Sequence, residues 1–247
     1  MLLIPAAGRG TRLGGSLPKL LTPVAGRAMI DWVLDRHTQF VHSSVIVVNP
    51  ADTSKVQQHL NDRYIDIRVV EQTTPTGMLD AILLGASAVR DAKPQRVWIT
   101  WCDQVGISAS TVNTLAELDT ASTPPDVILP VAQQISPYIH FDRSADGHLT
   151  GVRQRREGDD MPSIGTSDSG LFSLSIDAFE RWLPDYAATA STSIGTGERN
   201  FLPFIPWMAA RGQVTTFEVD VDEAQGINTP EELAAVGQRL RQAATGS

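Results

Sequence analysis

The sequence predicts an α/β protein, a Rossmann-like three-layer sandwich on a mixed, mainly parallel sheet. Three observations lead there. Short apolar runs alternate with segments of helical period through the first half of the chain. Those runs are apolar throughout rather than alternating, as strands covered on both faces are. The first run opens directly into Pro5-Ala6-Ala7-Gly8-Arg9-Gly10-Thr11-Arg12-Leu13, a small-residue, basic loop that suits a phosphate at the mouth of a sheet.

In chain order, residues 2–5 form a short apolar strand, and residues 28–39 a helix with Met29, Ile30, Val33 and Leu34 at helical spacing. Residues 44–48 are a β-branched strand, 54–62 a polar helix and 67–70 another strand. An Ala/Leu-rich helix spans 78–89, a strand 96–101, and a helix 110–118 capped by Ser108. Residues 126–131 close this half. Beyond it, strands at 138–143 and 149–153 flank Ala145-Asp146-Gly147, a hairpin signal. A strand at 170–174 leads into a helix at 176–183, and residues 187–199, rich in Ala, Ser, Thr and Gly, read as a mobile loop. Residues 201–211 are helical, with Pro203 and Pro206 near the start and Gly212 past the end. A strand at 214–219 precedes a final helix at 230–242 capped by Thr229. No repeat or linker interrupts the chain. The expected organisation is a single domain over 1–247: a nucleotide-binding half to about 131, an acceptor-binding half at about 132–228, and a C-terminal helix at 229–242.

The 247 residues carry 42% hydrophobic and 19% charged side chains, ordinary values that exclude wholesale disorder. A net charge of -8 makes the chain a poor non-specific nucleic-acid binder, so an anionic ligand must be met by a local cluster such as Arg9, Arg12 and Lys19. The one cysteine, Cys102, excludes an intrachain disulfide and reads as a buried strand end. The five histidines lack HxxH or HExxH spacing, and no stretch has the length of a membrane span. Met1 runs straight into a strand with no signal-peptide pattern, so a cytoplasmic protein is expected, with no nucleic-acid or membrane partner; a homo-oligomer is left open.

The first loop is not a Walker A loop, and Leu13 stands where a dinucleotide fingerprint needs its third glycine. Read blandly, it is a tight turn with solvated arginines. Thr11-Arg12 and the spacing to Pro18-Lys19 argue for the phosphate reading. From Pro5 through Leu13 to Lys19 the pattern closely resembles the signature of the sugar-phosphate nucleotidyltransferases, of the MobA-like NTP transferase superfamily. It is nearest to the uridylyltransferases that act on N-acetylglucosamine 1-phosphate. The resemblance covers nearly the whole chain as ordered landmarks, and it implies the fold of nucleotide-diphospho-sugar transferases. It further implies that Ala6, Ala7, Gly8, Arg9, Gly10 and Thr11 wrap the triphosphate of an NTP, while Arg12 and Lys19 stabilise charge during attack on the α-phosphorus.

Two later landmarks extend the resemblance. Asp103, just past an apolar strand, and Asn228, in Gly226-Ile227-Asn228-Thr229-Pro230, match the family's Mg²⁺ ligands; taken singly, each also reads as a turn or helix-start residue. Gln72 and Gly77, in Gln72-Thr73-Thr74-Pro75-Thr76-Gly77, match the base-recognition segment, although a strand-to-helix loop explains the glycine too. On the acceptor side the chain departs from the uridylyltransferases. Tyr138 with Ile139 replaces a Gly-Tyr-Gly turn, Gln154 replaces a sugar-binding glutamate, and Asp168 replaces the first residue of Asn-Thr-Gly. These exchanges argue against N-acetylglucosamine 1-phosphate as acceptor. The implied reaction joins an NTP and a phosphorylated small molecule, a sugar 1-phosphate, into an NDP-sugar and pyrophosphate. A cytidylyltransferase of a polyol or alcohol phosphate, a molybdopterin nucleotidyltransferase and a non-catalytic nucleotide sensor are the alternatives. Arg153, Arg155 and Arg156 read mainly as a solvated edge.

Overall fold

A computed structural model describes the chain except residues 9–12, 15–16, 62, 65 and 246–247. Its strands are β1 (Leu2–Ala6), β2 (Pro23–Val24), β3 (Arg27–Ala28), β4 (Ser44–Val48), β5 (Ile67–Glu71), β6 (Arg96–Thr100), β7 (Val127–Ile135), β8 (Ile139–Arg143), β9 (Leu149–Gln154), β10 (Ile164–Asp168), β11 (Leu171–Ser175) and β12 (Val214–Glu218). Its α-helices are α1 (Met29–His37), α2 (Thr53–Asn61), α3 (Met78–Leu84), α4 (Ala86–Ala92), α5 (Ala109–Asp119), α6 (Leu183–Thr189), α7 (Phe204–Ala209) and α8 (Pro230–Thr245). Among the described residues no helix is long and apolar enough to cross a membrane.

The main sheet runs β10-β7-β11-β6-β1-β4-β5, with β12 also paired to β7. Pairs β1–β4, β1–β6, β4–β5 and β7–β12 are parallel, and β11 meets β6 and β7 antiparallel. The sheet is therefore mixed and mainly parallel, as the sequence predicts. Successive β1 side chains point to opposite faces. Leu2 and Ile4 join Met29, Val33, Val112 and Leu115 beneath α1 and α5. Leu3 joins Leu79, Ile82, Phe179 and Phe204 beneath α3, α6 and α7. Two helical layers enclose the sheet.

The register of β7 exposes a kink that matters for the site. Val131 pairs with both Asp168 and Glu218, and Ile128 with both Ser173 and Thr215. A strand has two edges, so β12 takes one and β10 and β11 share the other. From Asp168 to Ser173 that line advances five residues while β7 advances three, so Ser169 and Gly170 bulge out. Gly170 sits at φ 72°, which favours glycine.

Three local readings are corrected. The helix expected over 78–89 is two, because Gly85 interrupts it. A Cβ there would meet Leu3 Cδ1 at 2.5 Å, so the glycine lets the helix pair approach β1. The helix expected over 176–183 continues to Thr189 through a π-type turn at Ala178–Trp182, where Pro184 offers no N–H to the ladder. The loop of 187–199 has a tethered end, described with the site. Elsewhere Ser108 caps α5, its side chain accepting from Thr111 N at 3.1 Å, and the 138–153 hairpin forms from β8 and β9.

One core group carries a testable pH dependence. His37 is buried against Trp98, its Nδ1 lies 2.7 Å from Val33 O, and its Nε2 has no partner among the described residues. Burial pushes its pKa down to about 4 from 6.5. The unfolded chain therefore takes up this proton first: the stability is fully present above pH 6.5 and drains as pH falls toward about 4. His37→Leu should remove about 2 kcal/mol of the stability difference between neutral pH and about pH 5, as read by urea unfolding at both values. An unchanged difference would refute the assignment.

Candidate active site

Strands β5, β4, β1 and β6 are parallel neighbours, so their C-terminal ends share one edge of the sheet. The chain leaves β1 toward β4 on one side and reaches β6 on the other. That makes the end of β1 a switch point, where open α/β sheets form a ligand crevice. Ala6, Ala7 and Gly8 stand there; Ala6 and Ala7 are buried, Gly8 is exposed, and a Cβ on Gly8 would meet nothing within 4 Å. Arg9, Gly10, Thr11 and Arg12 lie outside the described residues.

Lys19 begins a single 3-10 turn, Lys19–Leu21, anchored by the buried side chains of Leu20 and Leu21. Its Nζ donates to Asp103 Oδ2 and, at 2.9 Å, to Asn228 Oδ1. The three residues span 209 positions of sequence, and the fold brings them to one point. Asp103 follows β6 in a turn in which Trp101 N donates to Gly170 O (3.1 Å) and Gln104 N to Trp101 O (3.2 Å). Asn228 is placed by a capping box at the start of α8. Glu232 Oε2 accepts from Asn228 N (2.6 Å) and Thr229 N (2.9 Å), and Thr229 Oγ1 accepts from Glu232 N (3.2 Å). Gly226 lets this segment close on Asp103, since a Cβ would lie 3.3 Å from Asp103 Oδ2.

One carboxylate oxygen and one amide oxygen thus converge on a cation, here the Lys19 ammonium. Hard oxygen donors in small number suit Mg²⁺, which takes few protein ligands and completes its shell with phosphate oxygens and water. Among the described residues no group of three or more His, Cys, Asp or Glu side chains is placed to hold a metal ion. Cys102, beside Asp103, is buried and its thiol is pushed up to about 12 by desolvation, so it is inert at neutral pH.

Gln72 and Gly77 meet as well. Gln72, buried after β5, donates from Nε2 to Gly77 O at 3.1 Å. Gly77 has φ 118°, and a Cβ there would collide with Arg199 O at 2.4 Å. The loop around them lines a cleft of about 350 Å³ with Glu71, Gln72, Thr73, Thr76 and Asp80.

The acceptor-side candidates divide. Gln154 and Asp168 are buried, whereas Tyr138 is half exposed. Asp168 Oδ1 accepts from Gly170 N at 2.8 Å within the bulge, and burial raises its pKa to about 6. Of the three arginines, Arg153 pairs with Asp142 (2.7 Å), Arg155 donates to Ser136 O (2.9 Å), and Arg156 meets Glu157 (3.2 Å) and Glu198 (3.5 Å). The strand ends at Gln154, so Arg155 and Arg156 lie in the 3-10 turn that follows it.

Sequence reasoning passed over two residues. Gln104 is buried beside Gly170 and Gly226, and its Oε1 has no partner among the described residues; its adjacency to Asp103 was the available signal. Asn200 donates from Nδ2 to Gln154 Oε1 at 2.6 Å, with no local motif to announce it. The preceding loop is tied in on both sides. Arg199 N donates to Thr76 O (2.8 Å), Leu79 N to Arg199 O (3.2 Å), and the Arg199 guanidinium pairs with Asp80.

The model of the MobA-like NTP transferase domain matches residues 2–163. Similar curated proteins include the bifunctional protein GlmU of Xylella fastidiosa (strain M23), 29% identical over 189 residues, covering 76% of this chain and 40% of that protein. GlmU of Psychrobacter cryohalolentis is 23% identical over 241 residues, 95% of this chain and 51% of its own. GlmU of Stenotrophomonas maltophilia (strain R551-3) is 28% identical over 240 residues, 94% and 50% respectively. The chain spans about half or less of the length of these relatives. With the domain model covering most of its length and the mixed sheet beneath it, the chain belongs to the MobA-like NTP transferase family and is a nucleotidyltransferase.

Proposed function

We propose that the protein couples an NTP to a sugar 1-phosphate, giving an NDP-sugar and pyrophosphate. The observation that carries this reading is the convergence of Lys19, Asp103 and Asn228 at the mouth of the sheet. An oxygen of the acceptor phosphate attacks the α-phosphorus, the bond to the bridging α–β oxygen breaks, and pyrophosphate leaves in line. Two anions must be held together for this, and Lys19, with Arg12, supplies positive charge for the developing negative charge. Asp103 and Asn228 would hold Mg²⁺, which when bound neutralises phosphate charge. Gln72 and the Gly77 backbone form the base-recognition end, and Gln154, Asp168 and Tyr138 the acceptor end. The length of the region from Tyr138 to Arg211, which holds the β8–β9 hairpin and α7, favours a sugar-sized acceptor over a pterin.

Pyrophosphate release with Mg²⁺, each of the four NTPs and a panel of sugar, polyol and pterin phosphates tests the reading. Turnover with one NTP and a sugar 1-phosphate is the expected result. Turnover confined to a pterin or polyol phosphate would overturn the acceptor assignment, and none with any pair would overturn the reaction.

A further inference from the structure

We infer that Asn200 is a positioning residue that locks Gln154 with its amide N–H group toward the acceptor, so that the enzyme selects an acceptor presenting a hydrogen-bond-accepting oxygen there. The inference rests on the acceptor-site reading of Gln154 and deepens it.

The geometry runs as a relay that begins at the backbone. Leu202 N donates to Asn200 Oδ1 at 3.3 Å, which leaves Asn200 Nδ2 as the end facing Gln154. Asn200 Nδ2 in turn donates to Gln154 Oε1 at 2.6 Å. An amide has one accepting and one donating end. Turning Gln154 over would set two N–H groups against each other at that distance, and turning Asn200 over would forfeit the Leu202 bond. Both orientations are therefore fixed by a backbone donor that cannot turn. Gln154 is itself only 4% exposed, held at the end of β9 by Asp159, whose Oδ2 accepts from Gln154 N at 2.7 Å. The remaining Gln154 Nε2 has no partner among the described residues, and it is not sealed from solvent.

A donor fixed in this way is satisfied by a carbonyl, carboxylate or phosphate oxygen, or by a hydroxyl acting as acceptor. An ammonium at the same point would face a second donor, and once the bound acceptor excludes water both would be left unpaired, the circumstance in which polar recognition discriminates most. The acceptor class that follows is a sugar phosphate whose substituent at this point is oxygen-bearing and not amino.

Two substitutions at different positions should have one consequence. Asn200→Asp keeps an oxygen for Leu202 N but presents a second oxygen to Gln154, which must turn its Nε2 inward and show Oε1 to the acceptor. Gln154→Glu keeps the bond from Asn200 and shows a carboxylate oxygen instead. The experiment measures pyrophosphate release by the unsubstituted protein and both variants across hexose 1-phosphates matched except for one substituent: hydroxyl, carboxylate, acetamido or ammonium. Both variants should lose at least about tenfold in kcat/KM for the carboxylate-bearing acceptor, which has no proton to donate, and less for the hydroxyl, which can donate as well as accept. They should share one altered ranking that favours the ammonium, keep the unsubstituted KM for NTP, and melt close to the unsubstituted protein. A merely structural role for Asn200 would lower the melting temperature and leave the ranking alone, and that result overturns the inference, as would different rankings in the two variants. No turnover by the unsubstituted protein overturns the nucleotidyl-transfer reading itself, and this inference with it.

Discussion

Lys19→Met is expected to abolish turnover and, in the same protein, to make folding stability dependent on Mg²⁺. Lys19 is the cation between Asp103 and Asn228, with side-chain exposures of 14% for Lys19 and 11% for Asp103. Removing it takes away charge that stabilises the transition state, at a cost of about 10³-fold or more in kcat. It also leaves Asp103 largely buried and uncompensated, which costs about 3 kcal/mol. A divalent ion bound by the same two oxygens should return much of that loss, because a ligand that binds only the folded state stabilises it. Thermal melts in EDTA and in Mg²⁺ check this. Mg²⁺ should raise the melting temperature of the variant by more than that of the unsubstituted protein. Equal responses would mean that lysine and metal do not share a site.

The second large effect is expected from Gly77→Ala. The backbone there has φ 118°, which strains any L side chain, and the new Cβ would lie 2.4 Å from Arg199 O and 2.6 Å from Arg199 N. Both colliding atoms are backbone, so neither can swing away. Relief requires parting the Thr76–Leu79 segment from Arg199, with loss of the two main-chain bonds between them. The combined strain and lost bonding should cost about 3 kcal/mol. Gly77 O would also move from Gln72 Nε2, so the KM for NTP should rise more than the KM for the acceptor. Chemical denaturation with steady-state kinetics tests both parts. A variant within about 0.5 kcal/mol of the original would show that the contact is not tight.

The parallel half of the fold is legible because its strands are apolar runs bounded by helices. Leu2, Ile46 and Ile99 read as buried from their neighbours alone, and they are. The break at Gly85 was not legible, because its cause is Leu3, more than eighty residues earlier. The tether of the 187–199 loop escaped for the same reason. Its composition favours mobility, while the contacts that fix its end come from Thr76, Asp80 and Gln154. The pairing of β12 with β7 has no local signature at all. At the site, Lys19, Asp103 and Asn228 stand in motifs that can be read singly, but only the sheet places Asp103 and the α8 capping box against Lys19. Asn200 lay hidden because an asparagine in a loop announces nothing until its neighbour across space is known.

Asp103 and Asn228 are proposed to form one cation site, at which the Lys19 ammonium stands. Mn²⁺ binding in the presence of the productive NTP, followed by electron paramagnetic resonance, tests it most directly. Asp103→Asn should weaken Mn²⁺ binding by at least about tenfold, since a charged ligand to a hard cation is lost, while Lys19→Met should bind the ion at least as tightly as the unsubstituted protein. Unchanged Mn²⁺ affinity in Asp103→Asn would place the metal elsewhere and contradict the account.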